Sequence, residues 1–179
     1  ISLALQLNPE AIGPLLYKAR EAITDEDFET ARAYAKRIQC LDATEYLYLE
    51  GEMRICEGRI TEADALFREH FREIEADDHL DYVYDVAYLF SEYNEYDKAL
   101  EWMARSKGDD SDDFKELMAR TLFGLVKYKD SERIFNELID QDPFSKKYWN
   151  ALANVQFMSE EYDASVTSSE YALAIDPED

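Results

Sequence analysis

The sequence predicts an all-α protein built as a solenoid of stacked helix pairs, on three observations. Only 5 glycines and 4 prolines occur in 179 residues, which is low for a β-rich or loop-rich chain. Hydrophobic residues make up 46% of the chain and charged residues 34%, which is sufficient for a packed core and argues against disorder. The third observation is a pair of small residues that recurs along the chain at a fixed spacing.

These small residues mark five successive repeats. In each repeat an alanine or glycine is followed twelve residues later by an alanine or serine: Ala19 and Ala31, Gly51 and Ala63, Ala87 and Ala99, Ala119 and Ser131, Ala153 and Ser165. Two antiparallel helices pack closely only where a side chain is nearly absent, so each pair of small residues predicts a pair of helices. Successive repeats are 32, 36, 32 and 34 residues apart.

The clearest repeat lies between Pro143 and Pro177, which are 34 residues apart. Between them the order is Trp149, Leu152, Ala153, Tyr162, Ser165, Ala172 and Leu173. This order and spacing resemble the tetratricopeptide repeat, a helix–turn–helix unit of about 34 residues. The resemblance covers most of the chain and implies a right-handed α-solenoid with five repeats at 10–43, 44–77, 78–110, 111–143 and 144–177. Residues 1–9 match the end of a truncated repeat, so we expect a fragment of a longer chain that forms a single solenoid.

Helix positions follow from the repeats. We predict helices at 1–7, 10–24, 27–40, 43–57, 61–75, 79–93, 96–106, 112–125, 128–141, 145–158 and 161–175. A bulky aromatic or aliphatic residue recurs just before each second helix: Phe28, Ile60, Tyr96, Tyr128 and Tyr162. At the turn between the helices of a pair, where the family has glycine, the sequence has Gly58 once and otherwise Glu26, Asn94, Val126 and Glu160.

The net charge of −22 limits the classes of partner. An acidic surface repels phosphate backbones and anionic membranes, and it would attract a basic protein or peptide. Alternatively, the acidity only keeps a repeat array soluble. Residues 73–116 contain fifteen acids and four bases, a net charge of −11, so the third repeat and its flanking loops are a candidate landing area for a basic ligand. A solvated acidic face is the alternative there.

No motif for catalysis, a metal or a cofactor occurs in the sequence. Phosphate-binding loops, nucleophile elbows, zinc-protease motifs and paired CxxC motifs are missing, so we expect a protein that is not an enzyme and has no cofactor. His70 and His79 have no common zinc spacing and are expected at the surface, and segment 107–114 lacks the spacing of a calcium loop. Cys40 and Cys56 are too few for a disulfide framework and are expected to be small buried hydrophobes. No apolar run is long enough for a membrane span. We expect a soluble protein whose compartment the sequence leaves open, with the cytoplasm slightly favoured.

The resemblance implies that the first helix of each repeat lines a concave groove for a peptide or protein segment. The positions one after and three before the small residue of each first helix share a helix face and should point into this groove. These positions include the aliphatic Leu16. With Lys147 added, the polar and aromatic candidate groove residues are Arg20, Tyr48, Glu52, Tyr84, Tyr88, Glu116, Arg120, Lys147, Asn150 and Asn154. Tyrosine offers apolar area with a polar tip, and asparagine can bond an extended backbone. The alternative for the tyrosines is packing between neighbouring first helices.

Two functions are therefore open. The first is a non-catalytic scaffold that binds a peptide or protein in the concave groove. The second is a structural role, with self-assembly through stacking of solenoid ends. A carboxylate clamp like that of chaperone-binding relatives is a special case of the first function. Here it is incomplete, because Tyr88 and Glu52 occupy positions that would need an amide or a cation.

Overall fold

The structure is a computed structural model that describes residues 11–73, 79–106 and 110–176. Within these ranges it contains α-helices and no β-strand, as the sequence predicts. The described helices are α1 (Ile12–Thr24), α2 (Phe28–Gln39), α3 (Ala43–Cys56), α4 (Ile60–Phe71), α5 (His79–Glu92), α6 (Tyr96–Met103), α7 (Asp112–Gly124), α8 (Tyr128–Gln141), α9 (Lys146–Met158) and α10 (Tyr162–Ile175). The helix predicted at 1–7 and residues 107–109 of the acidic segment lie outside the described ranges.

Most predicted helix boundaries agree with the structure to within two residues. The predicted helix 128–141 coincides with α8, whereas the predicted helices 61–75 and 96–106 extend past the ends of α4 and α6. Neither α4 nor α6 is followed directly by glycine or proline, the residues that mark a helix end in a sequence. Helical periodicity alone therefore overestimates their length.

The chain divides into two compact units, residues 1–82 and 83–179, and α5 contributes to both. A core cluster of unit 1 is formed by side chains of α1, α2 and α3, including Leu15, Ile38, Leu49 and Met53. A core cluster of unit 2 is formed by side chains of α7, α8 and α9, including Phe135, Leu138, Leu152 and Val155. In each unit, consecutive helices bury one another, which is how a solenoid removes apolar surface from water.

All ten small residues of the predicted pairs are buried. In the last two pairs serine takes the place of alanine, and its hydroxyl bonds across the pair. The Ser131 Oγ donates to the Ala119 carbonyl, and the Ser165 Oγ donates to the Ala153 carbonyl, each at 2.8 Å. A buried hydroxyl needs such a partner. The twelve-residue spacing therefore marks the place where the two helices of a pair meet.

The turn inside each helix pair has the same backbone conformation in all five pairs. One residue per turn has a φ between 58° and 75°: Glu26, Gly58, Asn94, Val126 and Glu160. Its amide bonds the carbonyl three residues earlier, and the next amide bonds the carbonyl five residues earlier. In the fourth pair, Val126 N reaches Phe123 O and Lys127 N reaches Leu122 O, each at 2.9 Å. This is the Schellman motif, and it confirms the turn positions inferred from the sequence.

Two minor expectations are wrong. Cys40 is exposed and Cys56 is only partly buried, so they are not a pair of buried hydrophobes. Cys40 is the C-terminal cap of α2, where the chain leaves the packed helix. His70 is partly buried instead of lying at the surface, because its ring packs edge-on against Tyr82 at 5.3 Å. None of the described helices has the length and hydropathy of a membrane span.

Candidate functional site

Unit 2 contains a groove of about 630 Å³ that is lined mainly by its first helices α5, α7 and α9. The polar lining consists of Ser91, Glu92, Asn94, Glu116, Arg120, Lys147, Asn150 and Asn154, and the aromatic lining consists of Tyr96, Phe123, Phe135 and Tyr148. Five of the ten candidate residues therefore share one groove. On the side away from the groove, α7 and α9 pack against their partner helices at the buried Ala119 and Ala153. Each of these alanines directly precedes a groove residue.

Two ion pairs connect successive first helices across the groove. Arg120 Nη2 lies 3.5 Å from Glu92 Oε1, and Lys147 Nζ lies 2.6 Å from Glu116 Oε2. Glu116 is only 7% exposed, and a buried carboxylate is strongly destabilising unless it is paired. The lining thus contains two acids and two bases and is formally neutral, although the whole chain carries −22.

Asn150 and Asn154 are the uncommitted polar groups of the groove. Both side chains are exposed, lie one turn apart on α9, and form no hydrogen bond with any other described residue. Each amide offers two donor hydrogens and an acceptor oxygen. A ligand in the groove would therefore meet hydrogen-bonding groups that need no internal bond to be broken first.

Tyrosines from α5 and α9 lie close to the carboxylates of α7. Tyr84 and Tyr88 stack with ring centroids 6.3 Å apart, and Tyr88 is 40% exposed. Burial raises the pKa of Tyr84, and the nearby charges of Asp113 and Glu116 raise it further. Burial also raises the pKa of Tyr148, with Glu116 acting in the same direction. Tyr84 and Tyr88 do not line the groove. Glu116 does line it, and its charge contributes to the raised pKa of Tyr84.

The other three candidate residues belong to unit 1. Arg20 on α1 lies 3.8 Å from Glu52 on α3, so these two side chains pair across neighbouring first helices. Tyr48 packs against Phe67 and Tyr82, with ring centroids 6.3 and 5.8 Å away. For Tyr48 the structure therefore shows the packing contacts that were the alternative to ligand binding.

Solved structures share this architecture. YrrB, described as "a TPR protein with an unusual peptide-binding site", matches with a TM-score of 0.58 at 17% identity over 99% of this chain and 92% of that chain. A MamA structure from MSR-1 matches with a TM-score of 0.60 at 12% identity, covering 93% and 97% of the two chains. A MamA double mutant from RS-1 matches with a TM-score of 0.58 at 14% identity, covering 93% and 94%. The chain has the tetratricopeptide repeat fold. No protein-family model and no curated protein matches its sequence.

Within this tetratricopeptide fold, Glu92 and Tyr148 are among the groove residues that the spacing rule missed. Glu92 lies four residues after Tyr88, so continuing the same helix face by one more turn would have found it. Tyr148 lies on the flank of α9 next to Lys147, and a rule that selects a single face of each helix does not include it. Its place in the groove depends on how α9 is rotated against α7.

A tetratricopeptide carboxylate clamp needs cations that are available to the ligand. Arg120 and Lys147 do lie in one groove with the two asparagines, but Glu92 and Glu116 already pair with them. An acidic ligand would have to displace these internal carboxylates.

Among the described residues, no group of three His, Cys, Asp or Glu side chains could hold a metal ion.

Proposed function

We propose that this chain is a non-catalytic scaffold that binds an extended peptide or protein segment in the groove of unit 2. The observation that carries the proposal is the pair of exposed, uncommitted amides of Asn150 and Asn154 in a groove whose charged residues already pair with one another. The peptide-binding site named for YrrB, a protein of the same fold, agrees with this proposal.

The spacing of the two asparagines suits an extended backbone. Residues four apart on a helix have Cβ atoms about 5–6 Å apart. In an extended chain, groups on the same side repeat every two residues, or about 6.6 Å. Asn150 and Asn154 can therefore bond alternate peptide units of one segment, while Tyr148 and Phe123 supply apolar surface beside it. The groove volume of about 630 Å³ also lies in the usual range of ligand sites.

Peptide selection from a random display library tests the proposal. We expect the Asn150→Ala/Asn154→Ala variant to bind the selected peptides at least about tenfold more weakly, because two hydrogen bonds of about 1 kcal/mol each are lost. Asn136→Ala is the matched control: Asn136 is an exposed amide on α8 that bonds only its own helix, at Glu132 O. Circular dichroism would verify that all the variants are folded.

Two results would contradict the proposal. If wild-type protein selects no peptides, the chain is not a peptide scaffold of this kind. If the asparagine variant and the Asn136→Ala control bind the selected peptides equally well, the ligand lies outside the groove.

Self-association is the second candidate function, because α9 and α10 expose apolar side chains at positions that are buried in other pairs. Phe157 is 58% exposed, whereas Ile23 and Ile55 at the corresponding positions are 4% and 5% exposed. Leu173 is 54% exposed, whereas Ile139 at its corresponding position is 7% exposed. A second copy of the chain could cover this apolar face, as neighbouring repeats do within a solenoid.

A further inference from the structure

We propose that the segment bound in the groove places an arginine side chain on a tyrosine–carboxylate patch formed by Tyr84, Tyr88, Tyr148, Asp112 and Asp113. The inference rests on the proposed function and names the chemistry that the ligand must carry. It depends on three features of unit 2: an exposed aromatic surface, two carboxylates that form no ion pair with a described residue, and a connection to the groove.

The aromatic surface is supplied by α5. Tyr84 and Tyr88 are stacked with their ring planes 20° apart, and Tyr88 is 40% exposed, so part of this aromatic pair faces solvent. A planar guanidinium stacks on such a ring face and is attracted by its quadrupole. An aliphatic side chain could cover the same area but would not use the neighbouring charge.

The charge is supplied by Asp112 and Asp113 at the start of α7. Both side chains are exposed, and neither forms an ion pair with another described residue. The Glu92–Arg120 pair aligns α5 with α7, and two turns earlier Tyr84 lies at the level of Asp112. In agreement, the charge of Asp113 acts to raise the pKa of Tyr84, and both aspartates act to raise that of Tyr148. Glu116 differs because Lys147 neutralises it. The patch is therefore negative where the groove itself is balanced, and a cation is the complementary ligand group.

The patch and the groove are continuous through α7 and α9. Asp113 and Asp112 lie three and four residues before the groove residue Glu116, on the same face of α7. Lys147, which pairs with Glu116, precedes Tyr148 on α9, and Tyr148 also lines the groove. A segment bonded to Asn150 and Asn154 can therefore direct one side chain over Tyr148 towards the patch. The surrounding stretch 73–116, with its net charge of −11, would attract that cation over a longer range.

The test uses the peptides selected by the wild-type protein. We expect them to be enriched in arginine at one position, and we expect replacement of that arginine by its neutral isostere citrulline to weaken binding about tenfold. In the Asp112→Asn/Asp113→Asn variant the preference for arginine over citrulline should fall to about twofold, while affinity for the citrulline peptide stays the same. Tyr88→Leu should reduce the same preference.

The matched control is Asp130→Asn/Asp163→Asn. These two aspartates also lie in the first turn of a helix in unit 2, and their replacement changes the net charge by the same amount. The control should keep the full preference for arginine. If both double variants lose the preference for arginine over citrulline equally, only the total charge matters. That result would contradict the proposed patch.

Other outcomes separate this inference from the proposed function. If selected peptides need Asn150 and Asn154 but lack basic residues, or are acidic, the groove stands and the arginine patch fails. If arginine is enriched but Asp112→Asn/Asp113→Asn leaves its preference unchanged, the cation binds elsewhere and the patch also fails. If no peptide is selected, both proposals fail.

Discussion

At the residue scale, the five turns show how one backbone conformation constrains five different side chains. The left-handed region is easily reached by glycine and costs other residues about 1–2 kcal/mol, with asparagine affected least. Gly58 and Asn94 suit their turns, whereas Val126, with a φ of 63°, is β-branched and 67% exposed. The backbone of Val126 is therefore strained, and its exposed side chain gains little from packing. The turn persists because the surrounding helix pair determines it.

Replacing Val126 by glycine should stabilise unit 2. We expect Val126→Gly to raise the free energy of unfolding by about 1 kcal/mol, since relief of strain exceeds the entropy that glycine adds to the unfolded chain. Conversely, Gly58→Ala should lower it by about 1 kcal/mol, although nothing within 4 Å would obstruct the added Cβ. Denaturant titration measures both changes. Val126→Ala keeps a Cβ in the left-handed region, so it must be less stable than Val126→Gly for this explanation to hold.

At the element scale, each helix pair has its own fit of large and small side chains. A Cβ placed on Gly51 in α3 would overlap the ring of Phe67, which is fully buried on α4. At the corresponding positions of the first pair the residues are Ala19 and Ala35. The absence of a side chain at Gly51 therefore leaves space for the larger Phe67 on the partner helix. The twelve-residue spacing is the same in both pairs, but the second pair combines a smaller and a larger side chain where the first pair has two alanines.

Gly51→Ala tests this fit. We expect it to lower the free energy of unfolding by about 1–3 kcal/mol through overpacking, although alanine is the better helix former by about 1 kcal/mol. Adding Phe67→Leu should recover part of the loss, which a double-mutant cycle would measure as a coupling energy. Gly13→Ala in α1 is the control, since no atom lies within 4 Å of its added Cβ and no destabilisation is expected. Additive effects of Gly51→Ala and Phe67→Leu would contradict the close fit.

At the scale of the whole molecule, the charge of −22 acts differently on the two candidate functions. It would attract a basic ligand of the kind proposed for unit 2, while the groove stays locally neutral through its two ion pairs. The same charge repels a second copy of the chain and opposes stacking on the apolar face of α9 and α10. Ionic strength therefore separates the two functions, because salt screens both effects.

Sedimentation tests the self-association candidate. If Phe157 and Leu173 form a contact between copies, oligomers should appear at high protein concentration and increase with salt, because screening reduces repulsion and leaves the apolar contact intact. Phe157→Ser/Leu173→Ser should return the protein to monomers. Tyr17→Ser/Val126→Ser, which changes two exposed apolar residues on other helices or turns, should not. A strict monomer at every salt concentration excludes this function.

The amino-acid sequence by itself determined the helical fold class, the helix pairs and the five turns. These features are periodic and local: small residues recur at a spacing of twelve, and each turn occupies the same position in its pair. The sequence also predicted five of the groove residues, because residues four apart share a helix face. The functional role of those residues remains a proposal.

Only the tertiary structure decided which side chains meet between helices. It placed Tyr48 in aromatic packing, paired Arg120 with Glu92, and added Tyr148 to the groove. The period of a helix determines which residues share its face, but the rotation and displacement of one helix against the next depend on how all their side chains interlock. Contacts such as Glu116 with Lys147 therefore depend on packing between helices, for which the sequence pattern has no local signal.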